Sequence, residues 1–240
     1  MDPLQHIVQV IALGMGAAWA SGINLYAAIF MLGYMGLNGY IQLPPDLQVL
    51  QDPLVLFAAG FMYCVEFFAD KTPGVDTGWD AIHSFIRIPA GALLAAGAMG
   101  DVSPAAQIAA GLIGGSVAAT SHLTKAGSRV LINTSPEPFT NWFASIGEDV
   151  AAIAGLWTAL HHPVLFLALL LAFILFAAWA MPKLWRAVKR VFAWLGRLFG
   201  ARDRAPEPPR PSPGETPDLS DLAPTDPARL TGGTDPGRKP

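Results

Sequence analysis

Val164-Leu165-Phe166-Leu167-Ala168-Leu169-Leu170-Leu171-Ala172-Phe173-Ile174-Leu175-Phe176-Ala177-Ala178-Trp179-Ala180-Met181 carries no charged, amide or hydroxyl side chain. As a helix it extends about 27 Å, close to the ~30 Å hydrocarbon core of a bilayer. Its sides are apolar all round, so lipid is the solvent that suits it. Downstream, residues 183–199 become basic and amphipathic. Leu184, Trp185, Val188, Val191, Phe192, Leu195 and Leu198 fall on one side, and Lys183, Arg186, Lys189, Arg190 and Arg197 on the other. That pattern predicts an interfacial helix over 183–200, held by anionic lipid headgroups. From 201 to 240 the chain is rich in Pro, Asp, Thr and Gly, which predicts a disordered cytoplasmic tail.

Upstream, the same reading returns further apolar runs. They cover Ile7 to Gly36, Pro53 to Asp70, Trp79 to Met99, Pro104 to Ile132 and Phe139 to Leu160. The first is too long for one straight crossing, and Ser21-Gly22-Ile23-Asn24 is its weak point. Pro89 lies inside the third. The whole composes an all-α, polytopic membrane bundle over 1–182, with about six transmembrane helices. Composition agrees: 52% of residues are hydrophobic, only 14% are charged and mean hydropathy is +0.41. Soluble domains carry about 25% charged residues.

Of fifteen Lys and Arg, none precedes Lys71 and eleven lie at or beyond Lys183. The connections at 38–52, 100–104 and 161–163 hold none, whereas Lys71, Lys125 and Arg129 flank the alternate ones. The positive-inside rule then places both termini in the cytoplasm of a bacterial inner membrane. No basic residue precedes the first apolar run, so it is expected to be retained rather than cleaved. Cys64, the single cysteine, is expected to be a small core residue. The 70–79 and 133–142 hairpins look alike, each with a proline in the turn and a tryptophan soon after. A parallel duplication is one reading of that likeness, and chance similarity of apolar hairpins is the other.

Ionisable groups within the spans are the informative ones, because hydrocarbon penalises them. Glu66 and Asp70 are four apart on the second helix, and Asp80, His83 and Arg87 share a face of the third. His122, Lys125 and Arg129 share a face of the fourth, and Asn141, Ser145 and Asp149 a face of the fifth, with Glu148 adjacent. Helical neighbours recur at three and four residues, so four polar stripes emerge. All lie toward the same ends of their helices, which predicts a polar chamber open to the cytoplasm. Its candidate ion-binding or solute-binding residues are Asn24, Asp70, Lys71, His83, Arg87, His122, Lys125, Arg129, Asn133, Glu137, Asn141, Glu148 and Asp149. The bland alternatives are solvated loop positions for Lys71, Asp76 and Asp80, snorkelling anchors for Lys125 and Arg129, and a structural salt bridge from Arg87 to Asp149 or Glu148. Gly111 and Gly115, spaced as in a small-xxx-small contact, suit close helix packing.

The chain has no phosphate-cradling glycine loop, no metal-spaced His/Cys set and no serine elbow. That leaves the question of an enzyme open and tilts the reading toward a non-enzyme, with no cofactor or metal expected. Its expected partners are the bilayer, an ion or small solute and, as a further option, a second copy of itself, with no nucleic acid. A transporter or permease, proton-coupled through Glu148 or Asp149, is the leading expectation. A membrane scaffold or assembly factor is the second, and a headgroup enzyme holding metal on Asp70, Asp76 and Asp80 the third.

Ala20-Ser21-Gly22-Ile23-Asn24-Leu25-Tyr26, Phe68-Ala69-Asp70-Lys71-Thr72-Pro73-Gly74-Val75-Asp76, Trp79-Asp80-Ala81-Ile82, Lys125-Ala126-Gly127-Ser128-Arg129 and Asn133-Thr134-Ser135-Pro136-Glu137-Pro138 occur in that order. Together they resemble a bacterial multi-pass membrane family known as domain of unknown function four-one-two-six. The resemblance covers about residues 10 to 175. It implies an inner-membrane protein and carries no activity with it.

Overall fold

Prolines open most of the helices, where a missing N–H costs nothing and the fixed φ suits the first turn. In the computed structural model, α1 spans Pro3–Leu37, α2 Pro53–Ala69, α3 Val75–Ala98, α4 Pro104–Ile132, α5 Pro138–His161 and α6 Pro163–Leu198, with a 3-10 helix over Pro45–Gln51. The structure describes residues 3–72, 75–100, 102–133 and 138–198. The expected tail at 201–240 lies outside the described residues. Side-chain caps fix two of the helix starts. Asp52 accepts from the Leu54 amide at 2.8 Å, and Ser103 Oγ accepts from the Ala106 amide at 3.1 Å. At the end of α1, Gly39 has φ +73°. Gly39 N bonds Gly36 O and Tyr40 N bonds Met35 O, the Schellman closure that only glycine enters freely.

α1 does break where expected. Asn24, at φ −145° and ψ 97°, is non-helical within it, and the break reverses the chain. His6, Gln9 and Val10 line one cavity with Ile41, Gln42, Leu43 and Pro44. Residues 3–10 and 41–44 therefore sit at the same end of the bundle. The first limb, residues 3–23, is roughly 30 Å long and the returning limb, 25–37, roughly 20 Å. Asn24 is the tip of this re-entrant hairpin. Apart from Trp19 and Tyr26, every residue from Ala12 to Ala28 is buried, so irregular backbone at this depth is enclosed by protein.

The other helices run alternately. α2, α4 and α6 leave the end marked by loop 38–52, where Gln107 bonds Asp46 at 2.9 Å. They finish at the opposite end, where Leu184 of α6 lies against Gly127 of α4. The N-terminal end and the Lys183 end are therefore at opposite ends of the bundle. The expectation of both termini on one side counted α1 as a single crossing.

α1, α3, α5 and α6 are each long and apolar enough to cross a bilayer, and the 3-10 helix with α2 makes a fifth candidate, bent by 67°. α4 is long enough but too polar by that measure, because Ser121, His122, Lys125 and Arg129 are turned into the bundle. The protein is an all-α membrane bundle. α6 continues through Pro182 to Leu198, so the basic segment is not a separate element but the extension of the last helix. Small residues let α1, α3 and α4 approach closely. A Cβ on Gly22 would collide with the Ala118 carbonyl, and one on Gly114 with Ala95 Cβ. Gly115 faces Ala92 similarly, while Gly111 is in ordinary contact. Cys64 is exposed, which corrects its expected core placement; it faces outward from α2.

Candidate functional site

The four polar stripes meet around the tip of α1. Lys125, at the centre, donates to Asp70 Oδ2 at 2.7 Å and to the Ile23 carbonyl at 3.1 Å. Glu66, Glu148 and Asp80 also lie within 4 Å of its ammonium. The Ile23 carbonyl is free to accept because the break at Asn24 interrupts the helical ladder.

Arg87 takes one side of the cluster. It meets Glu66 at 2.5 Å and Asp80 at 3.1 Å, and its Nη1 lies 3.4 Å from His122 Nδ1. Ser84 Oγ donates to the Asp80 carbonyl, so His122 Nε2, 2.6 Å away, donates to Ser84. Arg129 takes the other side. Its Nε and Nη2 grip Glu148 at 3.0 and 2.6 Å, and its Nη1 donates to the Asp70 carbonyl at 3.0 Å and to the Asn141 amide oxygen.

Asn24 Nδ2 donates to Asp149 Oδ1 at 2.9 Å while its own oxygen accepts from the Ala27 amide. The side chain thus caps the returning limb and holds Asp149. Lys71 is buried in the turn after α2, bonded to the Phe67 carbonyl and Ser145 Oγ at 3.2 and 3.4 Å. Burial pulls its ammonium below the ordinary lysine range, opposed by Asp149 and Asp70. His83 stands at the edge, between the Tyr26 hydroxyl and the Trp79 carbonyl.

Of the expected residues, Asn24, Asp70, Lys71, Arg87, His122, Lys125, Arg129, Asn141, Glu148 and Asp149 converge. His83 flanks them, Asn133 closes the end of α4 with its amide on the Arg129 carbonyl, and Glu137 lies outside the described residues. Glu66 and Asp80 belong to the core of the network although the candidate set omitted them. Their spacing to Asp70 and Arg87 was the available signal. Asp80 and Lys71 are not solvated loop residues, nor are Lys125 and Arg129 snorkelling anchors: all four are buried. Arg87 pairs with Glu66 and Asp80 rather than with Glu148 or Asp149.

The two hairpins run in the same direction with charges reversed. Glu66 and Asp70 on α2 correspond in spacing to Lys125 and Arg129 on α4, and Asp80 and Arg87 on α3 to Asn141 and Glu148 on α5. Each hairpin thereby closes its own Arg–Glu pair, with the arginine on α3 in one and on α4 in the other.

Among the described residues the network holds five carboxylates (Glu66, Asp70, Asp80, Glu148, Asp149) and four cations (Lys71, Arg87, Lys125, Arg129), so acid exceeds base by one. One oxygen each of Glu66, Asp70, Asp80 and Asp149 is buried without a protein hydrogen-bond partner. Asp149 is singular, because its hydrogen bond goes to a neutral amide and not to a cation. A void bordering the cluster lies to the side, between α4, α5 and α6. Among the described residues no three His, Cys, Asp or Glu side chains are grouped to share a metal ion.

A family model described as Domain of unknown function (DUF4126) matches residues 11–183. No curated protein and no solved structure matches the chain.

Proposed function

The chain belongs to the DUF4126 family, and we propose that it is a small transporter or permease that binds an ion or small polar solute at the cluster around Asn24, with Asp149 carrying an exchangeable proton or cation. The observation that supports this most directly is the re-entrant tip of α1 touching Asp149. Broken helices whose freed backbone faces a buried polar site are a recurrent way to bind ions at membrane depth. Intramembrane carboxylates mark ion or proton pathways by default. Arg87 and Arg129 then serve as positioning residues that hold Glu66, Asp80 and Glu148.

The test is flux. In liposomes loaded with a pH-sensitive dye, imposed Na⁺ or K⁺ gradients should drive proton movement through the wild-type protein. Asp149→Asn should reduce that movement at least tenfold, and Asn24→Ala likewise. Unaltered flux in both variants, or no flux from the wild type in any gradient, overturns the proposal. The headgroup-enzyme alternative has less to stand on, since Asp70 and Asp80 are both engaged by cations.

Basic residues orient the bundle. Lys71, Lys125, Arg129 and the 183–190 cluster share one end, which we place in the cytoplasm of a bacterial inner membrane, with the basic face of α6 near anionic headgroups. The N-terminus then lies on the outer side with loop 38–52. In a Cys64→Ala background, His6→Cys and Gln42→Cys should both react with an impermeant thiol reagent added outside intact cells, and Lys189→Cys should not. Reaction of His6→Cys only after permeabilisation would restore α1 to a single crossing.

A further inference from the structure

A cavity of about 330 Å³ lies beside the cluster, bounded by α4, α5, Ile23 of α1 and Phe173 of α6. Its position is informative. Gly147 is near the middle of α5 and Phe173 near the middle of the apolar stretch 164–181, Ser128 and Ile132 reach the end of α4, and Gly147 and Ala151 are exposed. The exposed α5 side faces hydrocarbon while the α4 side reaches the interface marked by Leu184 against Gly127, so the cavity is a side door opening to lipid near the headgroup layer. Its floor is Lys125 and Glu148, and Glu148 is the most exposed acid of the network, at 18%.

The walls have a definite hydrogen-bonding sense. Ser121, Thr124 and Ser128 line the α4 side. Each spends its hydroxyl hydrogen on backbone: Ser121 on the Trp19 and Ala118 carbonyls, Thr124 on Thr120, and Ser128 on Lys125. Toward a ligand these oxygens can only accept, as can Glu148. The one donor, Lys125, is already directed at Asp70 and Ile23. Acceptors facing the cavity, the most exposed acid of the network at its floor and access from lipid describe a ligand that donates, is positively charged and carries an apolar tail.

We infer that this cavity is a lateral binding site for the protonated amine headgroup of a bilayer-resident amphiphile, seated against Glu148 and the Ser121-Thr124-Ser128 stripe with its chain passing Phe173 into lipid. The inference rests on reading the cluster as a binding site and narrows its ligand to an alkylammonium class. No covalent step is involved.

Gly147 supplies the test, because a Cβ there meets nothing within 4 Å. In a Cys64→Ala background, Gly147→Cys protein is reconstituted into phosphatidylcholine vesicles. A membrane-partitioning alkyl maleimide should label it, and a charged, water-confined thiol reagent should not. Dodecylamine should slow the labelling at least tenfold more than dodecanol or dodecyl phosphate, and Glu148→Gln should abolish that difference. Should Glu148→Gln fail to fold, Gly147→Trp replaces it: dodecylamine should raise the melting temperature of the wild type and leave that of Gly147→Trp unchanged. Labelling from water alone, equal protection by all three amphiphiles, or stronger protection by dodecyl phosphate each overturns the inference. Labelling does not depend on flux, so the site can fail while Asp149-dependent transport stands, and the reverse.

Discussion

Lys125→Met is expected to lower stability by about 3–5 kcal/mol, the usual cost of removing one partner from a buried ionic group. The ammonium is 2% exposed and has four carboxylates within 4 Å. Methionine fills similar space, so lost packing is small and the electrostatic change dominates. Five carboxylates would then face three cations. Their mutual repulsion, in a site where water cannot screen it, opposes the closed bundle. The Ile23 carbonyl, left without its donor, adds a desolvation cost of about 1–3 kcal/mol if it finds no substitute. Denaturant unfolding in detergent measures the loss. Lys125→Met with Asp70→Asn should recover a substantial part, because Asp70 is the tightest partner at 2.7 Å. Stability within about 0.5 kcal/mol of wild type, the range of an ordinary surface change, would mean that the cluster is hydrated rather than buried.

The elements of this fold were legible because the forces that make them are local. Turn residues between uniform apolar stretches place helix ends within a few residues. The stripes were legible for the same reason: three- and four-residue spacing on a single helix decides which side chains share a face. What closes the network is not local. Arg87 chooses Glu66, twenty-one residues away, over the acids of α5, and Lys125 chooses Asp70 across fifty-five. Those choices depend on how α2 and α4 are laid beside α3, which periodicity leaves open.

The reversal at Asn24 is the clearest case. Glycine and asparagine signal a weak point in a long helix, but a kink and a hairpin share that signal. The angle is set by contacts on either side: Ser121 against Gly22, Asp149 on Asn24, and Leu50 against Gly33. Counting α1 as one crossing overlooks that return. Cys64 was misplaced for a related reason. In a membrane an apolar run has no hydrophobic face to predict from, since lipid and protein interior are equally dry.

Arg129→Lys should be nearly as damaging as Arg129→Met, although it keeps the charge. The guanidinium holds three partners at once: Glu148 on α5 through Nε and Nη2, the Asp70 carbonyl after α2 and Asn141 near the start of α5. A single ammonium has no planar fork with which to reproduce this. Each buried acceptor left unmatched costs about 1–3 kcal/mol, so a loss of at least about 2 kcal/mol is expected for Arg129→Lys in detergent unfolding. Arg129→Met combined with Glu148→Met should behave differently. Replacing a buried pair by apolar groups of similar volume is often neutral or stabilising, so the double variant should unfold much closer to wild type than either single change. The same variant should lose flux, and with it the dodecylamine protection, because the acid that faces the lateral cavity is gone. A stable double variant that still transports would show that the pair only braces α4 against α5, leaving Asp149 and Asn24 as the whole of the ion-handling site.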